Sequence, residues 1–433
     1  MRRGATRSSS GMFRVFRHRN YALLATGNFV NQLGMWGRMI GIGWAAQDLT
    51  DSAFLVGLAH GSQFLPSLLL APFCGLVADR FDRRNVAVLG NLGMAIPSAA
   101  ITVLLLTDRL TITGLVLLAL VGGTLQSFTT PAIAALVPHA VPPADVPAAI
   151  AMNNVLSNVS RFLGAALVGV IITAWDTPAA FAFNAGSLLA VAVPWLALRV
   201  TVPPRVVSDE SFVTQLAGGF RFARHQPSVG SLLVLNTVVG LLIMQAPLMP
   251  LVTRDLLDAG PSTYGLLQSV TGIGAIVGAV FAGRAATGTR LMAVMTIALV
   301  ATAASVLGVA LSSWVAVSVV VQIVFGFGLF TLMTSTVTVI TLSTPDRYLG
   351  RVMSLHGMTI GGMVPINAMV AGLFANLIGT RMTLLVAGAT LGAYVVWFVA
   401  RRLGRIHVVR PDDEATGPAV PVPAVPDVAV VPG

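Results

Sequence analysis

Long apolar runs dominate this sequence of 433 residues and leave it few folds to adopt. A helix needs roughly 20 apolar residues to cross a hydrocarbon core of about 30 Å. Hydrophobic residues make up 55% of the chain and charged residues only 10%, against about a quarter in soluble domains. The sequence therefore predicts an all-α membrane protein with about twelve transmembrane helices. The expected spans are residues 21–47, 53–78, 85–106, 112–137, 147–174, 178–199, 228–252, 262–286, 291–311, 314–342, 348–378 and 381–400.

Arginines lie almost entirely on one side of these spans. If both termini are cytoplasmic, 21 of the 26 basic residues, all of them arginine, face the cytoplasm, and only three lie in outer loops. The positive-inside rule thus predicts a multi-pass plasma-membrane protein with both termini cytoplasmic. The net charge of +10 forms no basic face interleaved with aromatic residues, so we expect membrane lipids and not nucleic acid as a partner.

The two halves of the chain resemble each other. "LVGLAHGSQFLPSLLLAPFCGLVADR" aligns with "YGLLQSVTGIGAIVGAVFAGRAATG", which pairs Gly57 with Gly265 and Gly75 with Gly283. Such duplication is typical of transporters built from two six-helix bundles. The predicted domains are a basic cytoplasmic N-terminus over 1–20, a first bundle over 21–199, a cytoplasmic linker with an amphipathic helix over 200–227, a second bundle over 228–403 and a disordered cytoplasmic tail over 404–433.

The stretch "GLVADRFDRR" concentrates charges in the loop after the second span. Its spacing, Gly-x-x-x-Asp-Arg-x-Asp-Arg-Arg, resembles the loop 2–3 signature of the major facilitator superfamily, although Asp82 replaces the usual glycine. The resemblance implies that the glycine lets two helices approach and that the acid latches the cytoplasmic gate near positive helix ends. The implied gating residues are Gly75, Asp79, Arg80, Arg83 and Arg84.

Three further stretches narrow the resemblance. They are "FRHRNYALLATGNFVNQLGMW", "TPAIAALVPHAVPPADVPAAIAMNNVLSNVSRFLGAALVG" and "GGFRFARHQPSVGSLL". Together they are similar to the enterobactin-exporter-like branch of the superfamily, whose members export siderophores, natural products and drugs. Ala165 stands where exporters carry the proline of a Gly-Pro pair. The resemblance implies two pseudo-symmetric six-helix bundles that rock around a midplane site, driven by proton antiport.

Groups that could carry the proton are few. No span contains an aspartate or glutamate away from its ends, although an intramembrane carboxylate is the usual proton site of coupled transporters. The candidates for proton coupling are Asp79 first, then His356 and His60, because histidine changes charge near neutral pH. The alternative for each histidine is a hydrogen bond between helices.

Polar residues within the spans predict a substrate cavity. Arg38 and Arg161 lie inside spans, where a charge is costly unless it is paired or faces water. We hypothesise that both attract acidic or phenolic substrate groups; alternatively, carbonyls freed in glycine-rich helices satisfy them. Spans one, four, seven and ten line the cavity in the resembling fold, and interhelical bonding is the alternative for each polar residue there. The remaining cavity candidates are Asn28, Asn31, Gln32, Gln126, Asn236, Gln245 and Gln322.

Other functional classes find little support. The single cysteine, Cys74, excludes an intramolecular disulfide, and the absence of lysine excludes a P-loop. We expect no metal, no cofactor and no enzymatic activity. The sequence predicts a monomeric secondary active transporter that exports small amphipathic molecules. Two alternatives remain open: an importer or facilitator with the same fold, and a non-transporting membrane receptor or scaffold.

Overall fold

Helices account for nearly all of the part of the chain that the structure, a computed structural model, describes: residues 13–70, 81–200, 212–284 and 289–401. No β-strand occurs within these ranges. The first half comprises a 3-10 turn (Phe13–Arg17), α1 (Arg19–Leu49), α2 (Ala53–Ser62), α3 (Leu65–Leu69), α4 (Arg83–Leu106), α5 (Ile112–Leu136) and α6 (Val146–Leu196).

The second half repeats this all-helical pattern. A helix of 14 residues, α7 (Phe212–His225), precedes it and stacks Phe222 on Tyr348 at 4.9 Å between ring centroids. The helices that follow are α8 (Pro227–Leu242), α9 (Gln245–Leu251), a π-turn (Val252–Leu256), α10 (Pro261–Arg284), α11 (Thr289–Leu311), α12 (Val315–Leu342), α13 (Asp346–Gly361), α14 (Met363–Ile378) and α15 (Thr380–Arg401).

Nine helical stretches among the described residues are long and apolar enough to cross a membrane. One of them, α6, contains two crossings, because Trp175 and Asp176 leave helical geometry and divide it into arms over 146–174 and 177–196. With α1 and the interrupted pair α2 and α3, the helices are consistent with twelve crossings. The predicted all-α membrane fold of two six-helix bundles is confirmed.

Three expected spans are interrupted in the structure, each about four residues before a proline. Helix α2 ends at Ser62 ahead of Pro66, α8 ends at Leu242 ahead of Pro247, and α13 ends at Gly361. A proline lacks an N–H, and its ring collides with the carbonyl four residues earlier, which is the position of each break. Pro365 lies four residues after Gly361 and accounts for the break between α13 and α14 in the same way.

The two bundles pack closely at one end of the molecule. There, α2 contacts α14 and the first arm of α6 contacts α10. A Cβ on Gly57 would collide with the carbonyl oxygen of Ala368, and a Cβ on Gly265 would lie 2.6 Å from the Cα of Gly169. Gly57 and Gly265 are the residues that the internal repeat pairs, so the two halves use equivalent glycines for equivalent contacts. We call this end, defined by Gly57, Gly169, Gly265 and Gly372, the sealed end.

Candidate substrate cavity and gating contacts

A cavity of about 280 Å³ lies within the first bundle. Helices α1, α4, α5 and both arms of α6 supply its walls, and Thr130 and Ala134 on one wall are exposed. Along α1 it runs from Asn28 to Arg38, ten residues or about 15 Å at 1.5 Å per residue. Five of the residues that the sequence singles out lie on its walls, namely Asn28, Asn31, Gln32, Arg38 and Gln126.

Two side-chain hydrogen bonds join α1 to the first arm of α6 across this cavity. The Nδ2 of Asn28 donates to the Oδ1 of Asn153 at 3.0 Å, and the Nε2 of Gln32 donates to the Oγ of Ser157 at 2.8 Å. Sequence reasoning did not select Asn153 and Ser157. A signal existed, because residues 153, 157 and 161 are spaced by four and therefore share one helical face.

Arg38 lies at the end of the cavity nearest the sealed end, and its side chain is 6% exposed. One guanidinium nitrogen, Nη2, donates to the Oε1 of Gln126, whose Nε2 lies 3.2 Å from the sulfur of Met35. The other, Nη1, is buried and has no hydrogen-bond partner. Gly122 faces it from α5, where a Cβ would lie 2.9 Å from Nη1. The absence of a side chain at Gly122 thus leaves room for the cation.

Arg161 lies outside the cavity, between the two bundles. Its Cζ is 4.3 Å from the ring centroid of Phe330 on α12 and 5.8 Å from that of Trp36 on α1. Its Nε is buried without a hydrogen-bond partner. The electron-rich faces of aromatic rings attract a cation at these distances. The structure therefore separates the two arginines that the sequence treats alike.

The polar residues expected to contribute to the cavity from the second half lie elsewhere. Asn236 is buried, with its Nδ2 3.2 Å from the Nδ1 of His356. The Nε2 of Gln245 donates to the Oε1 of Gln322 at 3.3 Å, between α9 and α12. All three join helices within the second bundle and are not on the walls of the first-bundle cavity.

His60 is buried in α2, and its Nδ1 has no hydrogen-bond partner. Its ring lies 5.8 Å from that of Phe64. Elsewhere in the described ranges, no group of three or more histidine, cysteine, aspartate or glutamate side chains is placed to hold a metal ion.

The charged loop after α3 is described only in part. Gly75, Asp79 and Arg80 lie outside the described residues. Asp82, the residue that departs from the family pattern, caps α4 by accepting a hydrogen bond from the backbone N–H of Asn85 at 3.1 Å. A carboxylate is well placed there, because the N-terminus of a helix is positive.

Arg83 and Arg84 begin α4 on the described side of that gap. The Nε of Arg84 donates to the carbonyl oxygen of Trp195 at 3.0 Å, and its Nη2 donates to that of Leu196. These are the last carbonyls of α6, which no helical N–H can satisfy. Arg84 therefore ties α4 to α6 within the first bundle.

Polar contacts reinforce the sealed end. The Nη1 of Arg254, in the second half, donates to the carbonyl oxygen of Gln47 at 3.1 Å and lies 3.5 Å from the Oδ1 of Asp48. The Oγ of Ser52 lies 3.4 Å from the Oδ1 of Asn376. Each contact joins one bundle to the other, so the bundles cannot separate here without breaking them.

A second ionic cluster lies outside the membrane-spanning segments, next to the N-terminal segment. The Nη2 of Arg14 is 2.7 Å from Asp145 Oδ1, and the Nε2 of His18 is 2.9 Å from its Oδ2. The hydrogen bond from His18, followed by that from Arg14, holds the pKa of Asp145 below its ordinary value. The cluster ties the start of α1 to the turn that precedes α6.

Two helical bundles that pack together at a sealed end, with a cavity inside the first of them, have the architecture of a membrane transporter of the major facilitator type. The family comparison agrees: a sequence profile described as "transmembrane secretion effector" matches residues 10–427. The chain belongs to this family, whose members are transporters of the efflux type and not enzymes.

Relatives with assigned activities are distant in sequence but similar in length. Macrolide efflux protein A of Streptococcus pyogenes is 22% identical over 79% of this chain and 86% of its own length. The staphyloferrin A transporter of Staphylococcus aureus is 21% identical over 87% of this chain and 95% of its own. The enterobactin exporter of Salmonella typhimurium is 26% identical over 80% and 82%.

Solved structures support the fold. A mutant of the nucleoside transporter NupG superposes with a TM-score of 0.76, at 12% identity, over 88% of this chain and 99% of its own. A bacterial homologue of Spinster in an inward-facing, unoccupied conformation gives 0.70 at 13% identity, over 92% and 98%. At such identities the likeness shows the fold alone.

Proposed function

We propose that this chain is a secondary active exporter that moves small amphipathic molecules across the plasma membrane by alternating access. The observation that carries the proposal is the tight packing of the two bundles at the sealed end, next to a cavity. Glycine contacts and hydrogen bonds join the bundles at the sealed end, while the cavity extends away from it into the first bundle. A site between bundles that open at alternate ends is the working principle of two-bundle transporters.

The orientation follows from charge. With both termini in the cytoplasm, 21 of 26 arginines face that side, as the positive-inside rule requires. The sealed end then faces outward, and the cavity runs through the first bundle from Arg38, nearest that end, to Asn28, nearer the cytoplasm. An exporter binds its substrate from the cytoplasm in this arrangement.

The cavity walls favour amphipathic substrates. Amide and hydroxyl groups of Asn28, Gln32 and Ser157 face apolar side chains such as Met94 and Leu188. Apolar walls with a few polar groups are typical of small-molecule sites. Relatives named for macrolide efflux, staphyloferrin A transport and enterobactin export support an organic small molecule as cargo. We propose that the chain acts as a monomer.

We propose proton antiport as the driving force. Asp79 leads the candidate proton carriers because the loop signature reaches it. His356 is hydrogen-bonded to Asn236, and His60 has a free Nδ1. A histidine buried between helices changes its hydrogen bonds when it gains a proton, which couples its charge to helix packing.

Proton flux in liposomes tests this mechanism. Purified protein with an internal pH dye is exposed to siderophores, macrolides and lipophilic dyes under an imposed pH gradient. We expect substrate-induced proton movement that is lost in Asp79→Asn and reduced in His356→Asn, but unchanged in His139→Asn, which alters an exposed histidine. Substrate movement without proton flux would contradict antiport and indicate a facilitator.

Everted vesicles test the direction. An exporter accumulates substrate in energised everted vesicles, whereas an importer depletes it. Failure to move any compound of the panel in either direction would contradict transport and favour a receptor or scaffold role.

A further inference from the structure

We infer that Arg38 is the anchor of this cavity and that the site takes an organic monoanion: a carboxylate, phenolate or sulfonate carried on an apolar body. This inference names a substrate class for the proposed exporter, and its importance for export rests on that proposed function. Binding itself can be measured without transport.

The charge balance of the cavity points to an anion. Among the described residues on its walls, Arg38 is the one that carries a charge. Its side chain is buried, and its Nη1, which lies next to Gly122, lacks a hydrogen-bond partner, so the cation on this wall is desolvated and incompletely satisfied. Leaving a buried charged donor unpaired is among the most costly arrangements in a protein, and an incoming anion would remove that cost.

No acidic side chain in the described part of the chain pairs with Arg38. Among the described residues, aspartates occupy helix ends and loops, and none forms an ion pair with Arg38. The partner that Arg38 does have, Gln126, is neutral. Gly122 leaves room for Nη1 on α5, because a Cβ there would lie 2.9 Å from that nitrogen.

Arg161 provides the contrast. Its guanidinium stacks on Phe330 at 4.3 Å and lies near Trp36, so aromatic rings compensate its charge, and it is not on the cavity wall. Of the two arginines within spans, Arg38 is the one on the cavity wall.

The remaining walls define the rest of the ligand. At 1.5 Å per residue, Gln32 lies about 9 Å and Asn28 about 15 Å from Arg38 along α1. The hydrogen-bonded pairs that they form, Asn28 with Asn153 and Gln32 with Ser157, can bond instead to hydroxyl or carbonyl groups of a ligand. Met94 and Leu188 offer contacts for the apolar parts of the ligand. A single cation matches a single negative charge. A volume of about 280 Å³ is at the small end of ligand pockets and suits a molecule of two or three rings.

A matched pair of dyes tests the inference. 8-Anilinonaphthalene-1-sulfonate and N-phenyl-1-naphthylamine share one ring system and differ by the sulfonate. Both are titrated by fluorescence into the full-length protein in phosphatidylcholine nanodiscs, which present no net anionic headgroup, and the signal of empty nanodiscs is subtracted. We expect the anionic dye to bind at least about tenfold more tightly, as one charge-assisted hydrogen bond allows.

Substitutions locate the effect. Arg38→Gln should weaken binding of the anionic dye at least about tenfold and leave the neutral dye within about twofold. Gly122→Ala keeps the charge but displaces Nη1, and should give a smaller loss confined to the anionic dye. Arg381→Gln removes an exposed positive charge elsewhere and should change neither affinity. If Arg38→Gln is misfolded and binds neither dye, the affinities of Gly122→Ala for the two dyes test the inference instead.

Two results would overturn the inference: equal affinity of the wild type for both dyes, or an anion preference that survives both Arg38→Gln and Gly122→Ala. Transport assays in everted vesicles distinguish failure of the anion-site inference from failure of the proposed export function. Anion-selective binding without movement of either dye would contradict export and leave the site intact. Equal export of both dyes by wild type and Arg38→Gln would retain the exporter and remove the anion site.

Discussion

At the scale of single residues, Arg161 shows how this chain holds a cation between its bundles without a carboxylate. The guanidinium lies over Phe330 of the second bundle and beside Trp36 of the first. A cation–π contact contributes about 0.5–1 kcal/mol at exposed sites and about 2 kcal/mol when it is desolvated. Because the rings belong to different bundles, this contact also stabilises their present arrangement.

A double-mutant cycle measures that contact. Arg161→Met and Phe330→Leu together should show a coupling energy of about 0.5–2 kcal/mol in equilibrium unfolding from mixed micelles. As a control, Arg161→Met combined with Phe374→Leu, which changes an exposed ring on α14, should be additive. Additivity of the first pair would show that the stacking contributes nothing.

Asp145 gives a prediction on pH. Its pKa is lowered by His18 and Arg14 in the folded protein, so its ionised form is the one that folding favours. The stabilisation is complete above the unfolded pKa of about 3.9 and is lost as the pH falls through the lower folded value. Amide exchange over residues 13–18, corrected for intrinsic rates, should therefore show protection that declines below about pH 4.

Asp145→Asn should remove that acid-dependent step and reduce protection at neutral pH. Asp108→Asn changes a loop aspartate for which the structure records no ion pair, and serves as the control. The same acid-dependent loss in both variants would assign the effect to another group.

At the scale of elements, glycines decide how closely helices approach. Gly57 on α2 lies against the backbone of α14, where any Cβ meets the carbonyl oxygen of Ala368. Gly372 on α14 makes the corresponding contact with α2, since a Cβ on it would lie 2.6 Å from the carbonyl oxygen of Ala53. Small residues at such crossings let membrane helices pack backbone to backbone.

Gly57→Val should open the sealed end. Overpacking a tight contact costs about 1–3 kcal/mol, which changes the ratio of closed to open molecules about fivefold or more. The measurement is labelling of Gln47→Cys, a buried position at this end, by a membrane-impermeant maleimide after Cys74→Ser. Gly186→Val, where a Cβ meets nothing within 4 Å, should leave labelling unchanged. Unchanged labelling in Gly57→Val would show that the sealed end tolerates the side chain.

At the scale of the whole molecule, the internal repeat explains the architecture. Gly57 and Gly265 occupy equivalent positions in the two halves and make equivalent contacts with the opposite bundle. Each bundle thereby closes on its partner through the same helix pairing. One movement of the bundles can break both contacts, as the proposed alternating access requires.

Locking the sealed end should stop transport reversibly. With Cys74→Ser, a short thiol cross-linker between Ser52→Cys and Asn376→Cys joins the bundles, because the native side chains lie 3.4 Å apart. We expect transport to fall to background and to return on reduction, with dye binding retained. A link between Asn20→Cys and Arg199→Cys, both in the first bundle, should leave transport intact. Full transport by the locked form would contradict alternating access.

The sequence predicts much of the fold and part of the site. Apolar length located the spans, and the turn at Trp175 and Asp176 falls between two expected spans. The breaks ahead of Pro66, Pro247 and Pro365 were not predicted. A proline predicts a lost hydrogen bond, but whether the helix bends, continues or stops depends on the neighbours that satisfy the freed carbonyl.

The sequence by itself determined the membrane class, the internal repeat and the charged chemistry available within the spans. That chemistry is two arginines, with no aspartate or glutamate away from the span ends to pair with them. Only the tertiary structure decided what each arginine does, because a side chain's partner depends on which helices meet. The guanidinium of Arg161 packs on an aromatic ring. The guanidinium of Arg38 bonds to one glutamine, packs against a glycine and lies on a cavity wall. Period and composition specify which face a residue occupies. They do not specify what the fold places opposite it, and that surrounding structure is what distinguishes Arg161, against two rings, from Arg38, on the wall of the proposed site.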